Sequence, residues 1–177
     1  MVHLTRRYRI SAAHRLHNET LSPEENARLY GKCNNPRGHG HDYALEVTVA
    51  GEVNPRTGMV MDIGLLDRLV EREVLDRFDH KHLNLDVDNF REQVPTTENL
   101  CLEVYRLLAP NFPVWSVKPE NEPEDTGRED SAAGARLLRV RIEETPRNFI
   151  EYEAEDGIAA RVPSGTTAVE PAGETKE

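Results

Sequence analysis

A chain of 177 residues, 37% hydrophobic and 31% charged, can bury one real core and leaves little room for a second domain. No stretch approaches the roughly 18 consecutive apolar residues of a membrane-spanning helix, and no apolar run of a secretory leader follows Met1–Arg7, so a cytoplasmic protein is expected. The net charge of −10 argues against a general nucleic-acid binder, but residues 1–41 hold seven Arg and Lys against three Glu, a balance of +4 that leaves −14 for the rest and suits an anionic substrate near the N-terminus.

In chain order, the alternation of Leu4 to His14 predicts a strand, with Tyr8, Ile10, Ala12 and His14 on one face. Ser22-Pro23-Glu24-Glu25 predicts a short helix start, with Ser22 as N-cap, Pro23 in the first turn and Glu25 completing a capping box. Tyr43, Leu45, Val47 and Val49 alternate with polar or small residues, a half-buried strand ending near Val53 at the turn Asn54–Gly58. Asp62 is placed to cap a helix running to about Phe78, with Leu66, Leu69, Val70 and Leu75 on its apolar side. Thr97 is placed to cap a second, with Leu100, Val104, Leu107 and Leu108 as its stripe. Leu138, Val140 and Ile142, then Phe149, Ile150 and Tyr152, give two last strands joined at Thr145–Asn148. The order β-β-α-α-β-β predicts an α+β domain over residues 1–154: an antiparallel four-stranded sheet with two helices on one face. Residues 118–134, rich in Pro, Glu, Asp, Gly and Ala, read as a mobile insertion, and residues 155–177 as a flexible tail.

The chemistry concentrates in Cys33-Asn34-Asn35-Pro36-Arg37-Gly38-His39-Gly40-His41. His39 and His41 project from the same face of an extended strand, and neutral imidazole is the commonest zinc ligand near neutral pH. A His-x-His pair alone is a weak signal. His14, ending the inward stripe of the first strand, supplies a third nitrogen, and three histidines with one open position is the pattern of a catalytic zinc. His17 competes for that place but has the opposite parity, and a hydrogen-bonded core histidine is the bland reading of His14. With only two cysteines, a four-ligand structural zinc is not expected; both read as free thiols, Cys101 packing within an apolar helical run. Asp79-His80-Lys81-His82 contains a second His-x-His, in which the adjacent carboxylate favours proton transfer by His80 over metal binding, with His82 as the rival ligand. Glu144 ends the inward stripe Val140, Ile142, Glu144 while Glu143 points outward, and its two coplanar oxygens can accept a pair of adjacent N–H donors.

Six segments in order carry a family resemblance: Ser11–Leu16, Leu29–His41, Gly58–Asp62, Leu75–Leu83, Thr96–Asn99 and Glu144-Thr145. Together they resemble the 6-pyruvoyl-tetrahydropterin synthase family over roughly residues 4–115 and 136–154. The five residues between Cys33 and His39 resemble the pyruvoyl branch; the sister branch, 6-carboxy-tetrahydropterin synthase of queuosine biosynthesis, has a shorter spacing. The resemblance implies the tunnelling fold, in which three subunits join sheets into a barrel and two trimers stack into a homohexamer, with the active site between subunits. It implies zinc on His14, His39 and His41, a catalytic triad of Cys33, Asp79 and His80, Glu144 as pterin anchor, and Thr97 and Glu98 near the pterin. His82 falls where the family often has asparagine. The implied reaction turns 7,8-dihydroneopterin triphosphate into 6-pyruvoyl-tetrahydropterin and triphosphate, without nucleic acid or membrane as partner. The alternatives are the 6-carboxy product and, from another class, a non-catalytic zinc-binding assembly protein of the same fold.

Overall fold

The computed structural model describes residues 1–112 and 134–153; apart from Gly134, the expected insertion at 118–134 and the tail at 155–177 lie outside them. Strand β1 (Val2–His14) pairs antiparallel with β2 (His39–Gly51) along its whole length, from Val2 opposite Gly51 to His14 opposite His39. β2 pairs with β4 (Arg136–Thr145), and β4 with β5 (Asn148–Glu153), both antiparallel. Period-2 patterning explains why these segments lie flat: Ile10, Tyr43, Leu45, Val47, Val140 and Ile142 are all buried on one face.

That face is covered by helices α2 (Ile63–Val70), α3 (Asp76–Phe78) and α5 (Thr97–Leu108), which bring Leu66, Leu69, Val70, Phe78, Leu100, Val104 and Leu108 into the same core. The Asp62 carboxylate caps α2 by accepting from the Gly64 N–H at 2.8 Å. The helical path continues to Phe78 as expected, through a wider turn at Glu71–Leu75 that joins α2 to α3. α2 is tied to β1 by Arg6, which donates to both Asp67 oxygens at 3.0 and 2.6 Å, and by the Tyr8 hydroxyl at 2.9 Å. The short helix α1 (Pro23–Tyr30) starts with the expected capping box, Ser22 and Glu25 bonding each other's backbone N–H.

Three expectations need correction. The second strand stops at Gly51, not near Val53. The sheet has five strands in the order β3-β1-β2-β4-β5, because β3 (Lys81–His82) adds to the outer edge of β1 and runs parallel to it. Two residues carry no periodicity, so only the placement of Phe78 in the core, which drops the backbone beside Ala12 and Ala13, creates this strand. Finally, α5 is capped by Thr96, whose hydroxyl accepts from the Asn99 N–H at 3.3 Å, and not by Thr97. The single-turn α4 (Leu83–Asp86) follows β3 and presses the buried Leu83 inward.

Candidate functional site

The pairing of β1 with β2 brings the last residue of one strand against the first of the other, His14 opposite His39 and Ala12 opposite His41. All three imidazoles lie on the helix-covered face, each contributing a ring nitrogen within 4.8 Å of the others; among the described residues only these three form such a group. His14 Nε2 stands 3.3 Å from His39 Nε2. Two ligands of one tetrahedral zinc are about 3.3 Å apart when each bond is roughly 2.0–2.1 Å, so the separation fits a shared metal.

The chemistry of the donors fits as well. His14 is buried, and its Nδ1–H donates to the Pro95 carbonyl at 2.8 Å, which leaves the Nε2 lone pair facing the group. The Tyr43 hydroxyl stands 3.3 Å from the same Nδ1. Burial pushes the His14 pKa down to about 4, the Pro95 bond and the Glu144 charge opposing and the neighbouring histidines assisting, so the ring is neutral near pH 7. His39 is lowered by burial and by His41, against the pull of Glu144. His41 Nε2 is buried without a hydrogen-bond partner among the described atoms, a costly state that a ligated metal would relieve.

Glu144 closes one side of the group. Its Oε1 lies 3.9 Å from His14 Nε2 and 3.8 Å from His41 Nε2. Thr97, released from capping, donates its hydroxyl to Oε1 at 2.7 Å, and the Asn148 amide donates to Oε2 at 2.8 Å. Partial burial opposes ionisation, but the bonds from Thr97 and Asn148, with His41 and His14 nearby, hold the carboxyl below its usual range. Glu143 points to the other face, where Arg7 reaches it at 3.7 Å, as parity predicts. Asn148 carries no signal in the sequence beyond a turn residue; only the β4–β5 register brings it to the carboxylate. Glu98 is exposed on the first turn of α5.

Cys33 sits half-buried in a tight turn at Gly31–Asn34. Its carbonyl accepts from the Leu16 N–H at 2.9 Å, which docks the turn beside the end of β1. Cys33 does not enter the histidine group. Neither does His17, whose Nδ1 accepts from the Asn34 amide at 2.9 Å, nor His82, whose ring packs against Gly38. A Cβ at Gly38 would meet His82 Nε2 at 2.8 Å and the His14 carbonyl at 2.9 Å, so only glycine, with φ +70°, fits this entry into β2. Cys101 is the expected packing residue: its thiol contacts the Val140 carbonyl at 3.5 Å, and burial pushes its pKa up to about 12.

The Asp79–His80 pair hangs on the outer edge of β1. Asp79 Oδ1 accepts from the Ser11 N–H at 2.8 Å, its Oδ2 bonds His80 Nδ1 at 2.8 Å, and the His80 N–H donates to the Ser11 carbonyl at 2.7 Å. Adjacent strand residues would point apart; here a turn with His80 at φ +58° folds the imidazole back onto its neighbour. Burial opposes ionisation of Asp79, but the Ser11 bond and His80 hold its carboxyl low. The His80 imidazole is 83% exposed, beside a cavity of about 520 Å³ that Ser11, Asp42 and His82 also line, and the pair does not join the histidine group of the same chain. The Ser11 hydroxyl donates to Asp42 in that cavity.

An α+β sheet carrying three convergent histidines, an ionised carboxylate and a nearby thiol defines a candidate metal-dependent enzyme. The family described as 6-pyruvoyl tetrahydropterin synthase matches residues 3–155. A human relative, 6-pyruvoyl tetrahydrobiopterin synthase, is 39% identical over 152 residues, covering 86% of this chain and 91% of the relative. The structure of Caenorhabditis elegans 6-pyruvoyl tetrahydropterin synthase superposes with a TM-score of 0.71 at 38% identity, covering 87% of this chain and 96% of the other. A putative 6-carboxy-5,6,7,8-tetrahydropterin synthase of Archaeoglobus fulgidus is 42% identical over 71 residues, only 40% of this chain and 56% of the relative. The chain belongs to the 6-pyruvoyl tetrahydropterin synthase family, a family of pterin-forming lyases.

Proposed function

We propose that the protein is a zinc-dependent lyase that converts 7,8-dihydroneopterin triphosphate to 6-pyruvoyl-tetrahydropterin with release of triphosphate. The observation that carries the reading is the ionised Glu144, held by Thr97 and Asn148 directly beside three convergent histidines. His14, His39 and His41 would hold the metal. When bound, zinc supplies Lewis-acid stabilisation of negative charge developing on the substrate's hydroxyl oxygens.

The protein's own residues do the rest. Glu144 anchors the pterin edge through its two oxygens, and Thr97 fixes the carboxylate plane. Cys33 is the base that removes the carbon-bound proton next to those hydroxyls. Asp79 accepts from His80 Nδ1–H and so leaves Nε2 free to take and return protons during the internal redox transfer and the elimination. The exposure of His80 and its separation from the histidine group of its own subunit support a site completed by a neighbouring copy, as in a homohexamer whose sheets join into barrels. A cytoplasmic compartment is supported by two free thiols; among the described residues no helix is long and apolar enough to cross a membrane.

The 6-carboxy product uses the same substrate and site. The five-residue spacing between Cys33 and His39, and the human relative's coverage of most of the sequence, favour the pyruvoyl product. A non-catalytic zinc-binding assembly protein would not need Cys33, the Asp79–His80 pair and Glu144 together. Mass spectrometry of the product, with triphosphate release measured before and after a chelator, tests the reading. A 6-carboxy product, or triphosphate release indifferent to metal removal, would refute it.

A further inference from the structure

The orientation of His14 hangs on one backbone carbonyl, that of Pro95, which accepts from the imidazole Nδ1–H at 2.8 Å. Pro95 is buried and has no N–H, and its pyrrolidine fixes only φ, so the aim of its carbonyl is set by the bonds its neighbours make. The Thr96 N–H donates to the Val94 carbonyl at 2.8 Å, closing a three-residue turn around Pro95. One bond is a weak lock for so tight a turn. The Asn99 side chain supplies a second, its Nδ2 donating to the same Val94 carbonyl at 2.7 Å.

Asn99 is itself anchored on α5. Its backbone N–H donates to the Thr96 hydroxyl at 3.3 Å, and the Leu100 N–H donates to the Thr96 carbonyl at 2.9 Å. Leu100, Val104 and Leu108 fasten that helix into the core. A path of hydrogen bonds therefore runs from α5 through Asn99 to the turn at Val94 and Pro95, and from Pro95 to the first histidine. The Tyr43 hydroxyl stands farther from the same Nδ1, at 3.3 Å. Thr97 is a residue of the helix proper, so its bond to Glu144 does not pass through the Asn99 amide.

We propose that Asn99 is a positioning residue for the metal: through the Val94 carbonyl and Pro95 it holds the His14 imidazole in the orientation and tautomer that a shared ion requires. The inference rests on the reading of His14, His39 and His41 as a zinc site. A proton kept on Nδ1 leaves the Nε2 lone pair turned toward His39, whose Nε2 is 3.3 Å away. The residue type fits the task. The group to be held is a carbonyl, so the side chain must donate, and an asparagine donates where an aspartate of the same shape would set a carboxylate oxygen against it.

The test uses the full-length protein and two variants: Asn99→Asp keeps the shape and turns the donor into an acceptor, and Asn99→Ala removes the donor without adding charge. In the zinc-free protein, nitrogen-15 NMR of the imidazoles at fixed neutral pH reads the His14 tautomer. Its ratio of Nδ1–H to Nε2–H should fall by about tenfold in both variants, the worth of one hydrogen bond. Zinc affinity from a chelator competition should fall by about 10–100-fold. Asn89→Ala is the control for a merely loosened loop: it deletes a neighbouring bond, from Asn89 to Glu103 on α5, and should leave both readouts within about twofold. An unchanged tautomer in the Asn99 variants, zinc affinity equal to that of a zinc-binding wild type, or the same losses in Asn89→Ala would overturn the inference. If one Asn99 variant fails to fold, the other decides. Should the wild type bind no zinc while the variants still shift the tautomer, the tie from Asn99 to His14 would stand and the metal reading would fall.

Discussion

The two histidine-bearing regions differ in what surrounds them. His14 is 1% exposed at the closed end of the β1–β2 ladder, with one nitrogen spent on the Pro95 carbonyl and the other turned toward His39. His80 is 83% exposed on a left-handed turn at the sheet edge, its one hydrogen-bonded nitrogen facing Asp79. Burial penalises the imidazolium of His14 and leaves a neutral lone pair suited to a metal, whereas the His80 ring stands open to solvent beside a carboxylate. Of the two, only His14 is desolvated by packing, and that burial pushes its pKa down to about 4.

Breaking the buried region has the largest expected effect. His39→Ala removes one of three donors, and zinc content by elemental analysis should fall below about one-tenth of wild type, with activity lost alongside. Cys33→Ala should leave zinc in place and slow turnover by about 10²–10⁴-fold, the usual loss on removing a general base. Full activity at unchanged zinc would show that the base is another residue. On the exposed side, Asp79→Asn presents an amide where His80 needs an acceptor; kcat should fall by about 10²-fold with zinc unchanged. Equal loss of zinc would mean that the two regions are one structural unit. Tyr43→Phe deletes the hydroxyl beside His14 Nδ1, and zinc affinity from a chelator competition should drop by about tenfold with kcat at saturating metal preserved.

The smallest effect is a pH dependence. The folded Asp79 carboxyl titrates below its ordinary value of 3.8, so its contribution to stability is fully present above that value and is lost as pH falls through the depressed one. Acid unfolding of Asp79→Asn should accordingly show a flatter limb below pH 3.8 than the wild type. An identical limb in both would remove Asp79 from the acid-sensitive groups.

Much of this was legible in the residues. The parity of His39, His41 and Glu144, the capping box at Ser22, the Asp62 cap and the stripes of α2 and α5 are local patterns, and each stands where its pattern puts it. Two adjacent threonines are equally good caps by type; Thr96 takes the cap and leaves Thr97 for Glu144. Asn148 and Ser11 were not legible at all, since one acts through a strand register and the other through its backbone. The turn that lets Asp79 reach His80 leaves no periodic pattern in the residues; it rests on the left-handed φ of +58° at His80.

The sequence by itself determined which residue types were available and which face each would take, because alternation in a strand and the 3.6-residue period of a helix follow from backbone geometry alone. It therefore determined the histidine pair, the inward glutamate and the α+β class. The tertiary structure decided everything that depends on register between distant segments. It set His14 against His39 across the end of one ladder, laid Lys81–His82 parallel to β1, and brought Asn148 and Thr97 to the same carboxylate. It also decided which histidine is buried and which is wet, because desolvation is a property of packing and no local pattern records it.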